Sequence, residues 1–378
     1  MARRENAGVW TPTLPGRLPV TVITGFLGSG KTTLLRRLLS QPASQGTAVI
    51  INEIGELPID NLIVAAPTTE TRVLAGGCVC CTARGDLADV FIDLLEQRAT
   101  GRVSRFSRVI VETTGVADPG SVAASIALEP RISAELAVEN IITLVDGVNG
   151  LAQLESDDEA VKQAALADRL LISKTDLAHT STVRRLRSRL ACINPFVRAI
   201  DCLHGAVDSL NLFNISDSES WLREKAPYQI VAGSHPFPSN SSKFETAAPR
   251  HSIHSISLTY DSPIEHANLT MWISLLATFK ARDLLRVKAL LNVAGRPVIV
   301  NGVQHIFHPP TYLEDWPSPN RQSRLVFIWR NKDERDILDT LAAFQLELPT
   351  NETQGIAVNP SVYAQFSDLA VRLRDRDP

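Results

Sequence analysis

The chain has almost no net charge: 38 Lys and Arg face 41 Asp and Glu over 378 residues, a formal −3. It lacks the basic excess that attracts phosphodiester backbones or anionic membrane surfaces, so neither nucleic acid nor membrane is an expected partner. The run Arg184-Arg185-Leu186-Arg187-Ser188-Arg189 is the local exception, and it reads as the solvated face of a helix. Long apolar runs are missing too. None reaches the ~18 residues that suggest a spanning helix, and Pro12 and Pro15 interrupt the N-terminal stretch before any signal-peptide core. A cytoplasmic location is therefore expected. Cysteine is scarce and odd in number, at five. That argues against a disulfide framework, the more so in a compartment that keeps thiols reduced. Histidines number only eight and are scattered, so no His-rich metal store is expected. The pairs His251/His254 and His305/His308 are suggestively spaced, but such pairs are more often ordinary surface or packing residues. There are no repeats and no low-complexity tract.

What is present is a core. Hydrophobic residues make up 44% and charged residues 21%, enough for two or three domains of ordinary size. Between residues 19 and about 202, short β-branched runs alternate with longer helical ones. VTVITG, TAVIIN, RVLAG, RVIVET, IITLVD, RLLIS and VRAIDC read as strands, and residues 32–40, 86–99, 120–128 and 159–167 as helices. The strand runs are continuously apolar rather than alternating, which predicts a mostly parallel sheet buried on both faces by helices, an α/β doubly wound domain. Composition shifts after about residue 215. The predicted organisation is a tail over 1–18, an α/β domain over 19–215, a Ser- and Pro-rich linker over 216–250 and a smaller α+β domain over 251–378. In that last domain SISLTY, LLRVKALLNV, RPVIVNGVQHIFH and RLVFIWR read as strands, and residues 264–280 and 333–345 as helices.

The segment GFLGSGKT (25–32) fits G-x-x-x-x-G-K-[ST] at every fixed position, between a strand and a helix as that motif requires. Gly25, Gly28, Ser29 and Gly30 would let backbone amides converge on phosphate oxygens, with the helix dipole aimed at the same anion. Lys31 would reach the β- and γ-phosphates, the Thr32 hydroxyl would ligate Mg²⁺, and Thr33 would be a further nucleotide-binding residue. RVIVETTG (108–115) places Glu112 at the end of an apolar strand, where an acid can hold the magnesium shell, directly or through water. Lys31, Thr32 and Glu112 are thus the residues expected to serve hydrolysis, while no catalytic base or arginine finger is assignable. Further on, SKTD (173–176) is close to the guanine-reading pattern Asn-Lys-x-Asp, with Ser173 in place of Asn. Asp176 would accept from the N1–H and exocyclic amine of guanine, a donor pair adenine lacks. Lys174 would lay its alkyl stem against the base. GTP is the expected nucleotide, with an ATP-dependent kinase or ligase as the rival.

Three of the cysteines, Cys78, Cys80 and Cys81, fall within four positions directly after two glycines. Thiolates select soft ions over Mg²⁺ or Ca²⁺. Three sulfurs would leave a tetrahedral ion one ligand short, which suits an exchangeable metal; a redox pair and plain structural thiols are the alternatives. Glu53, Glu56 and Asp60, emerging from the second strand, would offer a further ligand or shape the magnesium shell. Cys192 and Cys202 read as buried packing residues.

In order, GFLGSGKTTLL, NEIGELPID, GGCVCC, ETTGVADP and SKTD resemble the CobW-like metallochaperone GTPases, relatives of the nickel-insertion GTPases for urease and hydrogenase. LLRVKALLNVAGRPVIVNGVQHIFHPP is similar to that family's C-terminal domain, so the likeness spans roughly residues 19 to 330. The resemblance implies Zn²⁺ or Co²⁺ on Cys78, Cys80 and Cys81, Glu112 in the magnesium-side position and slow GTP hydrolysis coupled to metal transfer. It implies as partner a client metalloprotein or cofactor-biosynthesis enzyme, and it is compatible with an oligomer.

Overall fold

The structure, a computed structural model, describes residues 16–51, 62–64, 84–207, 212, 229–231, 253–279, 283–330 and 334–345. The chain divides into two compact units, Met1–Ser220 and Trp221–Pro378.

The first unit runs β1 (Leu18–Gly25), α1 (Lys31–Leu39), β2 (Thr47–Ile51), β3 (Leu62–Val64), α2 (Arg84–Ala99), β4 (Arg108–Glu112), α3 (Pro119–Leu128), α4 (Pro130–Ser133), β5 (Leu136–Asp146), α5 (Gly150–Ser156), α6 (Asp158–Leu166), β6 (Arg169–Ser173), α7 (Thr180–Ile193) and β7 (Ala199–Cys202). Its strands lie in the order β3-β2-β4-β1-β5-β6-β7. All pairings are parallel except that of β3 with β2. β1, β4, β5 and β6 are buried at nearly every position, because helices cover both faces. Leu34, Leu35 and Leu38 of α1 pack on Ile23, Val49, Ile110, Ile142, Leu144 and Leu171, and α3 and α6 lie against β1 and β5. β1 stands between β4 and β5, so the connections leave it in opposite directions, and the crevice of such a sheet opens at the carboxyl ends of the strands there. The expected strand RVLAG lies outside the described residues. The antiparallel β3, in a stretch read only as an acidic segment, was not foreseen.

The second unit is mostly antiparallel. It comprises β8 (Gln229–Val231), β9 (Ile253–Tyr260), α8 (His266–Phe279), β10 (Leu284–Val293), β11 (Arg296–Val303), β12 (Ile306–Phe307), β13 (Thr311–Tyr312), β14 (Ser323–Arg330) and α9 (Glu334–Thr340), with a 3₁₀ turn at Leu341–Gln345. The sheet order is β12-β11-β10-β14-β9-β8, with β13 against β11. β8 lies inside the stretch read as linker and pairs in parallel with β9. RPVIVNGVQHIFH is not one strand. It doubles back at Gln304, which takes a left-handed φ of 54°, so that β12 pairs with β11. One face of the sheet packs on α8: Trp272, Leu275 and Leu276 meet Leu258, Val287, Leu291, Val300, Leu325 and Phe327. Trp272 meets Phe327 edge-on, and its indole N–H donates to Thr340 Oγ1 at 3.3 Å. Among the described residues, no helix is long and apolar enough to cross a membrane.

Candidate functional site

Four adjacent strands end at one edge of the first sheet, and each brings a polar group to it. β1 ends in Gly25, β4 in Glu112, β5 in Asp146 and β6 in Ser173. The loop from Gly25 to Gly30 closes over this edge. Gly25 has φ 138°, and a Cβ there would come 2.2 Å from the carbonyl oxygen of Leu144, so no other residue fits without moving β5. Lys31 opens α1 and turns its ammonium back across the loop, donating to Gly25 O at 2.9 Å and Phe26 O at 3.3 Å. The cation is thereby held at the centre of the loop, with the amides at the start of α1 beside it. Gly28 is exposed at the loop tip, whereas Ser29 is fully buried. Thr33, next to the paired Thr32, is an exposed first-turn residue of α1.

Thr32 Oγ1 donates to Glu112 Oε1 at 2.6 Å. The bond has a chemical consequence. With its O–H donated to the carboxylate, the hydroxyl turns its lone pairs away from Glu112, and a hydroxyl beside a buried carboxylate is the hard-oxygen donor set that suits magnesium. The two residues the sequence assigned to the ion are therefore brought together, and their chemistry fits it. The backbone after Glu112 then runs against the loop: a Cβ on Gly115 would come 2.7 Å from the Leu27 Cα. Thr113 Oγ1, just past β4, donates to Thr24 Oγ1 of β1 at 2.8 Å.

The residues of the guanine-like pattern lie at and just beyond the end of β6. Ser173 Oγ donates to Ser29 O at 2.7 Å, bracing the loop directly. Ser173, where the guanine pattern has Asn, thus ties the end of β6 to the loop by its side chain. Lys174 adopts φ 53° and gives its ammonium to Asp146 Oδ2 at 2.7 Å. The Asp176 carboxylate is 35% exposed and lies 3.7 Å from His204 Nε2.

Several site residues escaped the sequence reading. Asp146 is one, although it carries the signal that exposed Glu112, an acid closing an apolar strand. Burial alone would raise its carboxyl. The Lys174 ammonium and the Asn149 and Val148 amides outweigh that effect and hold it below the usual carboxylate value. Gln163 on α6 is another. Fully buried, it donates to Gly115 O at 3.2 Å and Ala117 O at 3.0 Å. Its neighbour Lys162 pairs with Asp118, which also caps α3 through the Gly120 amide at 2.8 Å. His204 follows β7, with no motif to mark it.

Cys78, Cys80, Cys81, Glu53, Glu56 and Asp60 lie outside the described residues. Among the described ones, no group of three or more His, Cys, Asp or Glu is arranged to hold a metal ion. His251 is also outside them; His254 stacks on Trp329 with ring centroids 5.7 Å apart. Cys202 is buried in the α1 core as expected, and burial pushes its thiol upward. Cys192 is not: its place on α7 leaves it partly exposed, because the buried stripe of that helix is Leu186, Leu190 and Ile193.

A glycine-rich loop at the switch point of a parallel sheet, with its lysine folded across it and Thr32 paired to Glu112, defines a P-loop nucleotide-binding protein. Residues 19–201 match the CobW/HypB/UreG nucleotide-binding domain, and residues 253–345 match the cobalamin synthesis protein cobW C-terminal domain. The zinc chaperone YjiA of Escherichia coli K12 is 31% identical over 337 residues, which cover 87% of this chain and 99% of that protein. The zinc chaperone CobW of Pseudomonas aeruginosa is 27% identical over 375 residues, covering 90% and 94% of the two chains. The crystal structure of the Zn(II)-bound YjiA GTPase from E. coli superposes with a TM-score of 0.60 at 28% identity, covering 87% of this chain and 99% of that one. The chain belongs to the CobW family.

Proposed function

We propose that this protein is a GTP-hydrolysing metal chaperone of the cytoplasm. Mg²⁺–GTP occupies the loop 25–32, and Zn²⁺ or Co²⁺ is carried on Cys78, Cys80 and Cys81, with Glu53 or Glu56 near the ion. The cargo passes to a client metalloprotein or a cofactor-biosynthesis enzyme. The observation that carries the nucleotide half of this reading is the Thr32–Glu112 hydrogen bond beneath the loop that Lys31 closes. The cargo half is supported by the Cys-x-Cys-Cys sequence and by the relatives named zinc chaperones, YjiA and CobW.

The geometry of the described residues supports the roles proposed for them. Lys31 and the amides opening α1 neutralise and orient the phosphates. Thr32 and Glu112 hold the magnesium, which when bound screens the charge that develops on the transferred phosphoryl group. Asp176 and Lys174 receive the base. Gly115, packed on the phosphate loop, places the segment after Glu112 where the presence of a γ-phosphate can bias it, and the 52–60 segment is the proposed second switch. Without an assignable arginine finger or base, unassisted turnover is slow.

The test is cargo affinity in two nucleotide states. Competition titrations of Zn²⁺ and Co²⁺ are expected to give tighter binding with a non-hydrolysable GTP analogue than with GDP. Equal affinities would discard the coupling, because a ligand indifferent to two states cannot shift them.

A further inference from the structure

The guanine reading leaves open what sets the geometry of the base-side turn, and Asp146 supplies an answer that rests on that reading. Its carboxylate is 1% exposed and joins two loops. Oδ1 accepts from the amides of Val148 at 2.8 Å and Asn149 at 3.1 Å, fixing the turn that leads into α5. Oδ2 accepts from the Lys174 ammonium at 2.7 Å. A parallel backbone bond, from Gly147 N to Ser173 O at 2.8 Å, fastens the same two loops a residue further along. On the base side the chain then makes a tight turn, with Leu177 N donating to Lys174 O at 3.1 Å. Lys174 enters it at φ 53°, a left-handed conformation that a side chain with a Cβ adopts only when its surroundings impose it.

We infer that Asp146 is the positioning residue for base recognition, its carboxylate holding Lys174 in this conformation and so presenting both the Lys174 stem and the Asp176 carboxylate to the purine. An unrestrained lysine at this position would swing into solvent, since its side chain is 37% exposed even when paired. The left-handed turn that carries Asp176 would relax with it. Asp146 sits at the end of β5, on a different strand from the residues it orients, so it acts through Lys174 and need not touch the nucleotide.

The test is a double-mutant cycle on the full chain, read by fluorescent-nucleotide binding and by turnover. Asp146→Asn keeps an acceptor for the Val148 and Asn149 amides and removes the negative partner of Lys174. GTP affinity is expected to fall about tenfold, a moderate loss because the pair is partly screened by solvent. ATP affinity should change by less than about threefold, and kcat at saturating GTP should stay nearly constant, because the phosphate side is untouched. In a Lys174→Ala background Asp146→Asn should cost nothing further, as two residues acting in one chain of contacts are not additive. Unchanged GTP affinity, fully additive losses, or a fall in kcat at constant affinity would each overturn the inference. Should Asp146→Asn not fold, Asp146→Ser, whose hydroxyl can still cap the Val148 amide, is expected to show the same loss, and its failure to do so counts equally against the proposal. A wild-type chain that binds GTP and ATP alike would defeat the guanine reading alone. The cycle would then report the Asp146–Lys174 coupling on either nucleotide.

Discussion

At the scale of single residues, the site depends on where protons and lone pairs lie. Thr32 can offer its oxygen to a cation because its O–H donates to Glu112 and leaves the lone pairs free. Thr32→Val keeps the shape and removes that oxygen. Under the proposed function, Mg²⁺-dependent GTP hydrolysis per folded molecule should drop about a hundredfold, and the thermal midpoint should fall as the buried Glu112 carboxylate loses a donor, as read by phosphate release and calorimetry. Asp146 allows a pH prediction. Its carboxyl lies below the ordinary carboxylate value in the folded protein, so its contribution to stability is complete above the unfolded value near ~3.9. It is lost only as pH falls through the lower folded value. The difference in melting temperature between wild type and Asp146→Asn should therefore stay flat from neutrality down to about pH 5 and shrink only below about pH 4, in a series of scans at constant ionic strength.

At the scale of elements, α6 is more than a cover for the sheet. Two consecutive residues, Lys162 and Gln163, grip the segment from Gly115 to Asp118 that follows Glu112, and that segment packs on the phosphate loop at Leu27. The amide of Gln163 gives a rigid helix a hold on backbone carbonyls that would otherwise be buried without these donors. Gln163→Met preserves the length and removes both bonds. Stability should fall by about 1–3 kcal/mol, the cost of stranding buried acceptors. GTP turnover per folded molecule should drop about tenfold with a raised Mg²⁺ requirement, because the turn beside Glu112 is no longer held. Denaturant titration and steady-state kinetics at varied Mg²⁺ separate the two effects.

At the scale of the whole molecule, each unit has its own apolar core, one around α1 and the central strands, the other around Trp272. Trp272 is fully buried, tilted against Phe344 and set edge-on to Phe327. Trp272→Ala should cost about 3–5 kcal/mol, through lost burial and the cavity left behind. The loss should fall on the melting transition of the second unit and leave nucleotide affinity, measured by titration, unchanged.

Much of this was legible in the chain itself. Continuous β-branched runs separated by helical stretches determined a parallel α/β domain, since such strands are stable only when both faces are covered. GFLGSGKT determined the phosphate loop, because few residue types tolerate its turns, and the acid closing RVIVE marked Glu112. A period of two or three residues along one segment, however, says nothing about which strand ends will be neighbours. Only the tertiary structure placed Asp146 beside Lys174, 28 residues apart, and Gln163 against Gly115, 48 apart. It also turned a long apolar run into the β11–β12 hairpin and gave Ser173 its tie to Ser29. These are contacts between groups distant in sequence, decided by strand order and by the need of buried polar atoms for partners. Local pattern carries the elements, and the folded neighbourhood carries the assignment of roles within the site.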